Sequence, residues 1–276
     1  MYRLLRSNFS RLTKNRVFWL CLSAVFLIAI FNIMNFYRQT QAAGAIENAA
    51  LEDHFFELIP LLGILLAIVI SLFLGTEYSD GTMRNKLIIG STRTSIYLSS
   101  MVTSAAVSAA ITLVCFIGGL VGIPLLGAWT MPLSGVLLYI LTGVMSSIAL
   151  SAIFTFISVN CSRKAESAVI AILTALVLLI LGSIIYNRLQ EPKMLSEMVV
   201  TANGLEQTEP RLNPDYIGGS LRSVMTAILH ILPSGQQILI ANLEFSDPIQ
   251  CICYSIGLTI IVTVCGAVMY RKKDLK

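Results

Sequence analysis

The chain has 276 residues, 56% of them hydrophobic and only 12% charged, with a mean hydropathy of +0.80 and a formal net charge of +4. A soluble domain of this size carries roughly twice that charged fraction, and so large an apolar excess cannot be hidden inside one globular core. Composition therefore excludes a soluble globular protein, implies no nucleic-acid partner, and makes the lipid bilayer the natural solvent.

At the start of the chain Leu5, Phe9 and Leu12 recur at i, i+4 and i+7, among Arg3, Arg6, Arg11 and Lys14. That pattern predicts an amphipathic helix lying in the headgroup layer. A first span is predicted near 17–36. Its basic start and the later Ala43-Gly44-Ala45 imitate a secretory signal. Residues 17–34, however, carry no charge, which is longer than the roughly 7–15 apolar residues of a signal core, so an uncleaved anchor is expected. Glu52, Asp53, His54 and Glu57 then read as a solvated acidic face rather than a metal cluster, leading into a second span near 58–76.

The segment from Glu77 to Leu87, followed by Ser91-Thr92-Arg93, is longer and more polar than a simple connection needs. Ser79 and Asp80 are helix-start residues, Gly81-Thr82 follows, and Met83 and Leu87 share one face at helical spacing with Arg84 and Lys86 to its sides. A short amphipathic helix is predicted, presenting its Met83–Leu87 face to a cytoplasmic partner.

Spans three and four are expected near 94–123 and 132–161, long enough to tilt, and span five near 167–187. Thr142, Ser146, Ser147 and Ser151 supply small polar side chains that could line a pathway, although small residues also permit close helix packing. A long loop, 188–247, precedes the sixth span near 249–270. Within it, 221–232 is apolar enough to dip into the bilayer, and Pro233-Ser234-Gly235 is expected to end that dip.

Six spans put both termini on one side. Fourteen of the 19 Lys and Arg fall in the N-terminus, the 77–93 loop, the Arg163-Lys164 loop and the tail with Lys273 and Lys276. That side is predicted to be cytoplasmic, and the 188–247 loop to face outward. The six cysteines lie in or beside apolar segments, which argues against a disulfide framework. No ionisable residue sits centrally in any predicted span, which weighs against a proton-coupled carrier and against an intramembrane hydrolase. A Gly-x-x-x-x-Gly-Lys-Ser/Thr phosphate loop is absent.

Glu77-x-x-x-Gly81-Thr82, then Leu87, then Ser91-x-Arg93 ahead of a third span, resembles the coupling loop of type-2 ABC transporter permeases. The layout is similar too: a basic amphipathic N-terminus, six spans, a long outer loop between spans five and six, and a basic tail. The resemblance implies an all-α integral membrane protein, a single permease domain over residues 1–276, working as the transmembrane subunit of an ATP-driven exporter in a bacterial cytoplasmic membrane. It implies Glu77, Gly81, Thr82, Met83, Arg84 and Arg93 as the residues that couple to a separate ATP-binding subunit. It also implies a second permease subunit, identical or homologous, at whose interface substrate crosses. The chain would itself be no enzyme and hold no cofactor, ATP and magnesium belonging to the partner. The implied cargo is a hydrophobic or amphipathic peptide, a lipid or a drug. Two other classes stay open at this point: an integral-membrane enzyme acting on lipids, and a non-transport sensor or assembly factor.

Overall fold

The computed structural model describes residues 1–44, 50–127, 129–161, 163–195, 198–201, 204–207, 210–245 and 247–272. The expected basic tail residues Lys273 and Lys276 lie outside the described residues. Helix α1 (Tyr2–Thr13) ends at Lys14, and Asn15 starts α2 (Arg16–Ala42) by accepting the backbone N–H groups of Val17 and Phe18 at 2.9 and 3.4 Å. A side-chain cap of this kind satisfies donors that the first helical turn leaves unpaired. Short α3 (Glu52–Phe55) leads into α4 (Ile59–Ser79), α5 (Thr82–Ile88) and α6 (Arg93–Gly119). After a 3-10 turn, α7 (Ile123–Leu126) precedes the long helices α8 (Leu133–Asn160) and α9 (Lys164–Gln190).

Six helical stretches are long and apolar enough to cross a membrane: Arg16–Ala42, Glu52–Glu77, Arg93–Leu126, Leu133–Asn160, Lys164–Gln190 and Pro248–Lys272. The last is α12. Helices α4 and α8 form the centre, with α9 packed on α4, α12 on α8 and α6, and α2 on α6. Burial follows that arrangement, at 61% and 56% of the spanning windows of α4 and α8 against 22%, 17% and 22% for α2, α9 and α12. The outer three helices expose rows of Leu, Ile and Val, the sides that meet hydrocarbon or another membrane helix.

The loop before α12 is more built than its sequence suggests. Its first part carries two small antiparallel pairs, β1 (Met194–Leu195) with β4 (Arg211–Leu212) and β2 (Met198–Thr201) with β3 (Gly204–Gln207). Its second part is α10 (Gly219–Ile231) and α11 (Pro233–Ala241), which meet at a 94° bend. Pro233 ends the apolar helix α10, as its position suggested, but it does not end the helical structure. It opens a second helix, because a residue without an N–H suits a first helical position, where no acceptor is available anyway. Helix α11 is buried from Pro233 to Ile240. Its polar side chains bond to four neighbours: Ser234 to the Leu178 carbonyl (2.7 Å), Gln236 to the His230 and Cys251 carbonyls (2.6 and 3.1 Å), and Gln237 to Ser147 Oγ (3.3 Å). Ser255 Oγ in turn donates to Gln236 Oε1 at 2.7 Å.

Candidate functional site

The turn between α4 and α5 is fixed by its own backbone. Gly81 sits at φ +65°, a left-handed conformation that ends α4 and that side chains disfavour. Thr82 Oγ1 donates to the Glu77 carbonyl at 2.9 Å, satisfying one of the acceptors that the helix end leaves open, and the Asn85 N–H bonds to the Gly81 carbonyl at 3.1 Å. Gly81 and Thr82 thus set the angle at which α5 leaves α4.

Glu77 occupies the last turn of α4 and is wholly buried. Lys86 Nζ, from α5, reaches both carboxylate oxygens at 2.9 and 3.0 Å, and Arg11 Nη1, from α1, forms the second ion pair. Lys86 also donates to Asn8 Oδ1 at 2.9 Å, and Asn8 Nδ2 to Ser99 Oγ on α6 at 3.5 Å. The Arg11 guanidinium lies 5.5 Å from the centre of the Phe73 ring, a cation–π distance. A buried charge is tolerable only when paired and hydrogen-bonded, so this cluster makes α1, α4, α5 and the start of α6 one mechanical unit. The sequence offers Arg11 and Lys86 only as flanking charges of two amphipathic helices, and it does not point to Asn8. The signal for Asn8 and Arg11 is their spacing with Leu4 and Leu12, which places the protein-facing side of α1 one residue away from the Leu5–Phe9 stripe.

The two faces of α5 are the reverse of the expected ones. Met83 is 2% exposed, packs in the main core and receives the Tyr270 hydroxyl at 3.9 Å from its sulfur, and Leu87 packs against the same core. The Met83–Leu87 face is thus turned to the protein and not to a partner, because the end of α12 supplies the apolar cover. Arg84 and Asn85 are exposed, and Ile88 and Ile89 are 73% and 83% exposed, the most exposed of the chain's described isoleucines. Beside Ile89 a groove of about 680 Å³ runs between the start of α1 and the α5–α6 connection, lined by Tyr2, Leu4, Ser7 and Ser95 among others. Arg93, the first residue of α6, donates from Nη1 to the Arg271 carbonyl at 3.1 Å, a cation on the C-terminal end of α12. Gly81, Thr82 and Arg93 therefore shape this surface, Glu77 and Met83 brace it from behind, and Arg84 faces outward.

Thr142, Ser146, Ser147 and Ser151 are each fully buried within the chain, on the side of α8 covered by its own neighbours. In this structure all four face the chain's own helices. The physical reason lies in their hydrogen bonds. Thr142, Ser146 and Ser151 return their hydroxyls to carbonyls of the preceding turn, at 2.8, 3.0 and 2.7 Å, so they can be packed without water. Ser147 accepts from Thr112 Oγ1 at 2.9 Å and from Gln237, linking α6, α8 and α11.

The acidic stretch before α4 is likewise not a solvated face throughout. Glu52 is 3% exposed, and its carboxylate accepts the N–H groups of Thr130 and Met131, both at 3.1 Å, and the Thr130 hydroxyl. His54 Nδ1 lies 2.6 Å from Glu57 Oε2. Among the described residues no three His, Cys, Asp or Glu side chains are grouped to hold a metal ion, and no two cysteines are joined in a disulfide.

Residues 4–198 match the family model described as ABC-2 family transporter protein. The chain belongs to this family. The match spans α1 to α9 and with them the whole Glu77 cluster, so the chain is a permease subunit of an ABC transporter, a multi-pass membrane protein and a transport component rather than an enzyme. The usual partner of an ABC-2 permease is an ABC ATP-binding subunit. No curated protein matches this permease.

Proposed function

We propose that this permease is the transmembrane half of an ATP-driven exporter, pairs with a second permease subunit, identical or homologous, and docks an ATP-binding subunit on α5. The observation that carries the reading is the two-sidedness of α5. One side is locked to α1, α4 and α12 by Glu77, Lys86 and Met83, and the other offers Arg84, Ile88 and Ile89 beside a groove. Two exposed isoleucines on a braced helix are costly in water but suit a docking contact, where apolar anchors carry most of the affinity. A push on that surface would reach α4 and α6 without being absorbed by the loop. The family likeness supports a hydrophobic or amphipathic peptide, a lipid or a drug as cargo and a bacterial cytoplasmic membrane as the location, and the distribution of Lys and Arg supports cytoplasmic termini.

A tagged chain purified in mild detergent should bring down a separate polypeptide that hydrolyses ATP. Ile89→Asp or Arg84→Glu should weaken that association about thirtyfold, as expected when an interface anchor is lost, while the chain stays in the membrane. Gly81→Pro should act alike, since a proline φ near −65° cannot replace +65°. Wild-type chain that purifies without any such ATPase, or variants that retain it unchanged, would overturn the reading.

A further inference from the structure

We propose that the turn between α1 and α2 is a binding site for an anionic phospholipid. The first 46 residues hold six Lys and Arg, counting Arg38, and no Asp or Glu. The structure gives these cations different tasks. Arg11 is used by Glu77, whereas Lys14 and Arg16 are exposed and form no ion pair among the described residues. They flank a recess of about 350 Å³ lined by Lys14, Arg16, Trp19, Leu20 and Ser23, with no carboxylate among them. Its walls are fixed: Asn15 caps α2, and the Trp19 indole N–H donates to the Thr13 carbonyl at 2.8 Å.

The recess continues as a track down the bilayer. Arg16, Leu20, Ser23 and Leu27 share one face of α2 at helical spacing, and Leu20 and Leu27 are 69% and 63% exposed. From Arg16 to Leu27 the helix rises about 16 Å, the thickness of one leaflet's hydrocarbon. A phosphate beside Lys14 and Arg16 with a chain along that track matches charge and length together. Basic pockets at helix ends hold anionic headgroups in this way, and Trp side chains favour the same depth. The assignment needs only that the chain spans a bilayer, so it stands or falls separately from any ATPase partner.

Trp19 reports on the site directly, since Trp129 is the only other tryptophan. The full chain carrying Trp129→Phe is reconstituted into phosphatidylcholine vesicles containing brominated phosphatidylglycerol or, separately, brominated phosphatidylcholine. Two cations worth about fivefold each predict that the anionic lipid quenches Trp19 at about twenty-five-fold lower mole fraction. Lys14→Gln with Arg16→Gln should bring the two lipids to parity. Arg3→Gln with Arg6→Gln removes the same charge from the same segment and should leave the preference intact. Equal quenching by both lipids in the unsubstituted chain, or equal loss in both double variants, overturns the proposal in favour of diffuse attraction. Relief of quenching by millimolar glycerol phosphate also overturns it, since the site would then bind the headgroup alone. If the Trp129→Phe chain does not insert, phosphatidylglycerol retained through purification by the native chain and the same double variants gives the same comparison.

Discussion

A single carboxylate organises the surface on which this permease is read as meeting its partner. Glu77 has no contact with water, and its charge persists there because Lys86 engages both oxygens and Arg11 supplies a second cation. The pairing makes each member necessary to the others. Glu77→Gln would strand two cations, one of them Lys86, 11% exposed. The expected cost is about 2–3 kcal/mol, below that of a fully buried pair because Arg11 keeps 31% of its side chain exposed. That corresponds to a fall of roughly 5–10 °C in melting temperature in one detergent. Adding Lys86→Met to Glu77→Gln removes one stranded cation and should restore about half of the loss. A double variant no more stable than Glu77→Gln alone would mean that the three charges do not act as a cluster. The sequence pointed to Glu77 by its place in the loop pattern, but not to what it does. A glutamate at the end of a span reads equally as partner-facing or as an internal anchor, and only Arg11, 66 positions away, decides between them.

At the scale of elements, the bent pair α10–α11 shows how a buried segment is held by side-chain hydrogen bonds and one close backbone approach. Gly235 lies against the last turn of α10 so closely that a Cβ would stand 2.3 Å from the Leu229 carbonyl oxygen. Backbone cannot move aside as a flexible side chain can, so Gly235→Ala must open the 94° bend or shift α11 from its bonds to Leu178, Cys251 and Ser147. A loss of about 2 kcal/mol or more is expected. Gly257→Ala in α12 is the matched control, since nothing lies within 4 Å of its added methyl and alanine favours a helix by roughly 0.5–1 kcal/mol. Thermal melting of the two variants side by side tests the packing, and equal stability would show that α11 does not depend on the close approach. Proline 233 explains why this element was only half legible. An apolar run followed by Pro-Ser-Gly marks the break that ends α10, but nothing local says that a second helix begins there.

Across the whole molecule, what could be read in the sequence was what the bilayer imposes on each stretch of chain separately. Backbone in hydrocarbon must satisfy itself, so apolar stretches such as 58–76 announce the helices that the structure has. Which side of a helix faces inward depends on distant partners, which periodicity does not reveal: α12 covers Met83, and α4, α6, α11 and α12 cover the Ser and Thr row of α8. The fold also brings scattered cations to one end of the bundle. Arg93 at the start of α6 touches the end of α12, Lys86 joins α1 and α5 through Glu77 and Asn8, and Lys164 at the start of α9 packs on Gly75 near the end of α4. Arg188, Arg211 and Arg222 lie in the opposite segments, Arg188 bonded to Asp215 and Arg222 to the Leu189 carbonyl. Cations concentrated at one end of a membrane bundle are retained on the cytoplasmic side, so α1 and α5 should lie inside and α10 outside. Single cysteines replacing the exposed Ser10 and Ser220, each in a cysteine-free chain, test this with a membrane-impermeant maleimide. The Ser220→Cys chain should be labelled on intact cells, and the Ser10→Cys chain only after permeabilisation. The reverse pattern would place α5 outside, beyond the reach of any ATP-binding subunit, and the docking role of Ile88 and Ile89 would fall with it.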